Sequence, residues 1–519
     1  MTAIPQNVTT DYAQDLADKN LNNGDELSLQ NVSGERSYIG NFHKGLPHNA
    51  VGEVRAGAYN TLLRALSTEK PADFAAIRMS PHKSFRKFVN PLAGLAGDSQ
   101  VDPKSFTVQP APGVRSATAA AEAAELYWTA LLRDVPFSAF ATNTEVHRAA
   151  AELSRLAVAG NLPTDEAIPG AVTDKTIFRG LTPGDQQGPF VSQFLLKDVA
   201  YGSLKIEQRQ KTVLPGTDYL TTFDLWRRVQ DGADVSLVTP DRFDSERRYL
   251  RSMRDLGQYV HVDALYEAYL NACLILLEAK APFDPGNPYE DARLKNQQGF
   301  GTFGGPHILS LVCEVATRAL KAVWRQKWFV HRRLQPEAYG GLVHASLTNP
   351  SKAAEYALDE SILGSEAVDL VASKYGTYLL PQAFPEGSPM HPSYGAGHAT
   401  VAGACVTILK AWFDDSYVLP NPVEASADGT ALIPYSGPDA GKLTVASELN
   451  KVAANIAIGR NMAGVHWRSD YTESIKLGEA VAIALLAHQK PDYKERSGPG
   501  FATPPSFSLT KFDGTTVTI

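Results

Sequence analysis

Cysteine is scarce, with 3 in 519 residues. Cys273, Cys313 and Cys405 stand far apart in apolar stretches and form no Cys-x-x-Cys pair. That excludes a disulfide framework or a zinc finger, and the three read as buried free thiols. Excess positive charge is also missing: 49 Lys and Arg face 56 Asp and Glu, a net of −7. A broad nucleic-acid surface needs a basic face, so that class is excluded, and only a local basic pocket stays open. No apolar run approaches the roughly 20 residues of a membrane-spanning helix, so no membrane segment is expected. The first residues, Met1-Thr-Ala-Ile-Pro-Gln-Asn-Val, lack the basic-then-apolar pattern of a signal peptide. The default expectation is therefore a cytoplasmic protein. No repeat of 20–50 residues and no low-complexity tract is visible.

What is present is an ordinary globular composition, 44% hydrophobic and 20% charged. The length allows several domains or one large helical domain. Residues 1–110, punctuated by stretches such as Gly45-Leu46-Pro47-His48-Asn49, read as extended wrapping structure with short helices. Apolar spacing and helix-forming residues predict helices over 119–132, 145–159, 308–330, 398–412, 446–458 and 472–488. Helical periodicity also runs through 241–280, with Val262, Leu265, Tyr266, Tyr269 and Leu270 spaced for one buried face. Alternation over 203–208 predicts a small hairpin, and 512–517 reads as a loop or turn. The expected fold class is all-α with a minor β-hairpin. Residues 1–240 are expected to wrap and assemble, and 241–519 to form the helical region that carries the site, in one continuous α-domain.

Basic and Gly-rich character concentrates in three C-terminal segments: 325–336, 391–399 and 458–470. Small residues in Gly395-Ala396-Gly397-His398, before an apolar helical run, can leave backbone N–H groups facing an anion. Taken alone the segment is equally a tight turn into a helix. Lys327 lies between Trp324 and Trp328 in a helix otherwise suited to burial. Buried, it needs an anion; alone it also reads as a snorkelling surface lysine. Arg460 and His466 are six residues apart, so they converge only if the helix breaks at Gly464. Asp470 lies one helical turn after His466 and can fix its tautomer. Singly, these read as a structural arginine and a satisfied histidine, and His391 as a loop histidine. Together, a lysine, an arginine, a Gly-x-Gly-His turn and a later histidine describe a pocket for a tetrahedral oxyanion.

These segments resemble the vanadium-dependent bromoperoxidases of red algae and cyanobacteria, whose anion site is shared with the type-2 phosphatidic-acid-phosphatase-like acid phosphatases. The likeness extends through 261–273, 309–323, 387–395 and 455–466. The resemblance implies helical bundles of the haloperoxidase type and a vanadate cofactor, with phosphate as an alternative occupant. Vanadium would be bonded to His466, and its oxygens held by Lys327, Arg460 and the amide of Gly397. His398 would contact the axial oxygen and transfer protons, His391 would tune halide oxidation and proton supply, and Arg325 would lie near the halide. The implied reaction turns bromide or iodide and hydrogen peroxide into hypohalite, which halogenates organic nucleophiles. A homo-oligomer, dimer or dodecamer, is implied as well.

Two positions depart from the family pattern. Ala396 stands where a serine hydroxyl is expected, and Gln335 where an arginine precedes the proline. By the same resemblance both line the oxyanion pocket, with Gln335 able to donate an uncharged N–H. Losing one charge-assisted and one neutral hydrogen bond would weaken such a site by roughly 10- to 1000-fold. This departure raises an alternative, a phosphatase-like or vanadate-free homologue with His466 as nucleophile. Arg332 and Arg333 are not substitutes, because the same basic pair is part of the pattern. A calcium loop of some family members matches 289–297, but Lys295 occupies an acidic ligand's place, so calcium is not expected.

Overall fold

The structure, a computed structural model, describes residues 20–79, 86–165, 167–235, 240, 242–291, 296–495 and 505–519. The N-terminal segment at Met1 and the position of Lys295 therefore lie outside the described residues. Among the described residues, eleven helices have ten or more residues: α1 Ala56–Thr68, α2 Ala117–Leu132, α3 Thr144–Gly160, α4 Met253–Val262, α5 Glu267–Glu278, α6 Gly305–Arg325, α7 Pro336–Thr348, α8 Glu366–Tyr375, α9 Gly397–Trp412, α10 Val445–Met462 and α11 Arg468–Gln489. One hydrophobic core runs from Leu29 to Phe512 and joins residues of both halves of the chain.

Helix α9 is the central rod. It is built of Ala, Val, Thr and Gly and is buried along almost its whole length. Small residues let its neighbours approach closely. A Cβ at Gly403 would lie 2.2 Å from the Ile475 carbonyl of α11, and one at Gly478 of α11 would lie 2.0 Å from the Thr400 carbonyl. Helices α6 and α10 pack on the other faces of α9, and α4 packs on α10. The N-termini of α9 and α11, the C-terminus of α10 and the end of α6 carry the segments singled out in the sequence.

Most helical expectations hold within a few residues, and two need correction. Residues 241–280 are not one helix. They contain a strand, Phe243–Arg248, and then α4 and α5, bent by 101°. Val262 and Tyr266, expected on a buried face, are 72% and 39% exposed. Glu267 closes the break by accepting a hydrogen bond from the Ala264 amide at 3.1 Å. The helix expected over 308–330 ends as α-helix at Arg325 and widens into a π turn, Gln326–His331. The β content also exceeds one hairpin. Four two-stranded antiparallel ribbons are present among the described residues: Val199–Tyr201 with Leu204–Ile206, Gln210–Val213 with Phe243–Arg248, Val423–Ala425 with Leu432–Pro434, and Ser508–Thr510 with Thr516–Thr518.

Candidate active site

The π turn after α6 carries Lys327 inward, and the lysine is fully buried; the surface reading is corrected. Its ammonium donates to the carbonyls of Pro392 at 2.8 Å and Ser393 at 3.0 Å and sits 5.7 Å from the Trp324 ring. Burial brings its pKa down to about 7, against a partial rise from Asp470 and a further lowering by Arg460. Arg460 ends α10, donates from Nη1 to the Val260 carbonyl at 2.7 Å and leaves its buried Nε without a partner. Burial pulls its pKa down to about 10, with Asp263 and Glu386 acting in the other direction. Among the described residues, neither cation forms an ion pair. Two buried cations without a carboxylate are costly unless an anion joins them.

The chain breaks after Met462, as Arg460 and His466 require for convergence. Gly464 takes φ +83°, the left-handed region where a side chain is strained. His466 follows, 2% exposed, with Nδ1 2.9 Å from Asp470 Oδ2. Asp470 also accepts from the Trp467 amide at 3.0 Å and from Arg333 at 2.7 Å. Burial opposes ionisation of Asp470, yet Arg333 and His466 hold its pKa below the ordinary value. A carboxylate only accepts, so Nδ1 of His466 carries the proton and Nε2 keeps its lone pair. Burial drives the His466 pKa down to about 3, so the ring is neutral near pH 7.

His391 is 6.2 Å from His466 between ring centroids and 5.3 Å from Trp324. Its Nδ1 faces the Pro392 carbonyl at 2.8 Å, which again assigns the proton to Nδ1. Burial, then Lys327 and His466, hold its pKa well below the usual histidine value. Ala396 caps α9 and Gly397 opens it, so the first amides of the helix are free of intrahelical partners. His398 is half-buried, and its Nε2 lies 3.0 Å from Asp263 Oδ1. Burial resists ionisation of Asp263, but His398 and Arg460 hold its pKa down.

Lys327, His391, Gly397, His398, Arg460, His466 and Asp470 thus come together at one end of the bundle. Three assigned residues behave differently. The Ala396 amide is already bonded to Ser474 Oγ at 2.8 Å, so neither its side chain nor its N–H is available to an oxyanion. Gln335 spends its amide N–H groups on the carbonyls of Pro389 at 2.5 Å and His391 at 2.7 Å. Arg325 ends α6 with its Nε buried and unpartnered, and among the described residues it makes no hydrogen bond or ion pair with the cluster. Arg332 pairs with Glu26, and Arg333 with Glu122 and Asp470, so neither guanidinium replaces the missing arginine. Sequence reasoning missed Asp263, because helical periodicity continues across 241–280 and gave no sign of the break at which this acid sits.

The cluster also fits an oxyanion chemically: two buried cations, the unpartnered Arg460 Nε, open helix-terminal amides and a neutral imidazole nitrogen all favour a negatively charged guest. Residues 355–493 match the family model described as the VCPO second helical-bundle domain. The chain is 39% identical to the vanadium-dependent bromoperoxidase of Corallina officinalis, covering 96% of this chain and 94% of that protein. It is 35% identical to the vanadium-dependent bromoperoxidase of Ascophyllum nodosum, over 90% of this chain and 85% of that one. A solved structure, the homohexameric second vanadate-dependent bromoperoxidase of Ascophyllum nodosum, superposes with a TM-score of 0.88 at 31% identity, covering 99% of this chain and 90% of that one.

Proposed function

This chain belongs to the vanadium-dependent bromoperoxidases, and we propose that its oxyanion pocket holds vanadate and serves the oxidation of bromide by hydrogen peroxide to hypobromite. Iodide is expected to react likewise, and the hypohalite then halogenates organic nucleophiles. The observation that carries this reading is the pair of buried cations, Lys327 and Arg460, beside a neutral His466 whose Nε2 has no proton.

The proposed roles follow from those contacts. His466 Nε2 is the single nitrogen ligand, held in that tautomer by Asp470. Lys327 and Arg460 neutralise the oxyanion, and the Gly397 amide at the start of α9 donates to it. Bound there, vanadate supplies a Lewis acid that activates peroxide without changing its own oxidation state. Forming hypobromous acid and water from bromide and peroxide consumes one proton. His398 delivers it, oriented through Nε2 by the ionised Asp263. His391, neutral and donating from Nδ1 to the Pro392 carbonyl, keeps Nε2 as an acceptor for peroxide. Preorganised charge of this kind is usually the largest catalytic contribution. The phosphatase alternative gains no support: the curated relatives are bromoperoxidases.

The homohexameric relative supports a homo-oligomer here. Its building unit is proposed to be a dimer, the commonest closed arrangement; native mass spectrometry reads the copy number, and an odd number of copies would remove the dimer. The test of function is bromination of monochlorodimedone with peroxide and bromide, titrated with orthovanadate. Activity saturating near one vanadate per chain is expected. No activity at millimolar orthovanadate, in protein shown to be folded, would overturn the reading.

A further inference from the structure

The segment 386–393, which carries His391, is held in large part through its own carbonyl oxygens. Lys44 Nζ donates to the carbonyls of Glu386 at 2.9 Å and Ser388 at 2.6 Å, and Arg86 Nη1 reaches the same two at 3.2 Å each. Lys327 takes those of Pro392 and Ser393. In the middle of the strap, the Met390 carbonyl accepts from the Val89 amide at 2.9 Å and the Pro389 carbonyl from the His391 amide at 2.9 Å, and Gln335 is the side chain that takes the carbonyls of Pro389 and His391. Around it, the segment 333–337 runs alongside the strap. The Ser393 amide donates to the Arg333 carbonyl at 3.2 Å, Ser393 Oγ to the Leu334 carbonyl at 2.9 Å, and the Ser388 amide to Glu337 Oε2 at 2.6 Å. Gln335 is the central rung of that pairing. Its orientation is fixed, because turning the amide over would set its oxygen against two carbonyl oxygens. The cost is visible: Gln335 Oε1 is buried with no partner.

We propose that Gln335 is a positioning residue for the bromoperoxidase reaction, which ties the strap beneath His391 rather than binding the oxyanion. The assignment of a reaction rests on the function proposed above; the tether itself does not. An uncharged carboxamide matches two carbonyl acceptors and adds no third cation to the pocket. Arginine has enough donors to serve the same carbonyls and lacks the orphaned oxygen, so the two residues share the tether and differ in charge.

The test compares Gln335→Leu, of similar volume and without donors, with Gln335→Arg. Hydrogen exchange of the peptide spanning 386–393 is measured in the protein without vanadate. Orthovanadate binding is measured by calorimetry, and bromide oxidation is resolved into kcat and KM. For Gln335→Leu, the strap amides should exchange about 10-fold faster, as expected from losing two neutral hydrogen bonds. Orthovanadate affinity should stay within about 2-fold, and kcat should fall more than the bromide KM changes. Gln335→Arg should restore slow exchange and kcat. A loss of orthovanadate affinity of about 10-fold with unchanged exchange would make Gln335 an oxyanion ligand and overturn the proposal. Unchanged exchange and kcat would overturn it as well. If Gln335→Leu does not fold, Gln335→Met repeats the comparison. A wild type that binds orthovanadate but does not brominate would sink the proposed function while leaving the exchange result to decide the tether.

Discussion

Lys327 makes anion binding a proton-coupled event. With no anion beside it, burial brings its pKa down to about 7, against an ordinary value near 10.4. Only the ammonium form attracts an oxyanion, and a bound oxyanion holds the proton on. Apparent affinity should therefore be full below pH 6, fall as pH rises through 7, and decline by up to one decade per pH unit. By pH 9 the loss approaches about 100-fold, or roughly 2.7 kcal/mol at 1.36 kcal/mol per unit. Orthovanadate changes its own charge in this range, so molybdate, a dianion throughout pH 6–9, is the cleaner probe. Calorimetric titrations in buffers of different ionisation enthalpy read both the affinity and the proton uptake, which should approach one proton per anion at pH 8.5. Lys327→Met should bind weakly at every pH and lose both the slope and the uptake. The same substitution relieves a buried cation, so the anion-free variant should melt higher than wild type at neutral pH. The sign follows from linkage: a folded-state pKa below the unfolded one costs stability at any pH below the unfolded value. A flat affinity between pH 6 and 9 in wild type, or an unchanged slope in Lys327→Met, would refute the reasoning.

Three further outcomes follow from the contacts around the pocket. Asp263→Asn removes the carboxylate that faces His398 Nε2 at 3.0 Å; loss of a charge-assisted bond worth about 1.5–3 kcal/mol should lower kcat by about 10- to 100-fold, and steady-state kinetics with unaltered kcat would show that the pair is idle. Asp470→Asn disturbs the orientation of His466 and leaves buried Arg333 with Glu122 as its remaining carboxylate; orthovanadate affinity should drop by about 10- to 100-fold, the usual effect of losing a ligand's supporting contact, and wild-type affinity by calorimetry would contradict the assigned tautomer. Gly464→Ala forces a side chain onto φ +83° and within 2.7 Å of Gln382 Nε2, so it should destabilise the protein by about 1–2 kcal/mol and weaken orthovanadate binding by separating Arg460 from His466; a melting temperature equal to wild type would exclude the strain.

Legibility in the sequence tracked the range of the interactions. The entry into α9 at Gly397, the break at Gly464 and the Asp470 partner of His466 are set by residues within a few positions, and small residues, a glycine and a one-turn spacing announce them. The convergence of these segments, however, was legible only through family resemblance, since nothing local tells that α6 delivers Lys327 to the turn before α9. Periodicity misled over 241–280 because it describes faces, not breaks. The strand Phe243–Arg248 exists by pairing with Gln210–Val213, well before it in the chain, and no local rule encodes that partner.

The break between α4 and α5 illustrates the limit most directly. Its apolar residues continue a helical pattern, yet Val262 is 72% exposed and the chain turns by 101°. Continuing the helix would carry Asp263 round the α4 axis, whereas the extended backbone at Asp263, ψ 147°, leaves its carboxylate against His398. A long-range hydrogen bond, joining residues 135 apart, thus goes with a local departure from helical preference. Departures of this kind are where function overrides propensity. Gln335 follows the same logic at the level of one side chain. Its composition announces a lost charge, but where its two N–H groups go depends on a strap fifty-odd residues away. The family resemblance assigns it to the oxyanion; the carbonyls it meets assign it to His391.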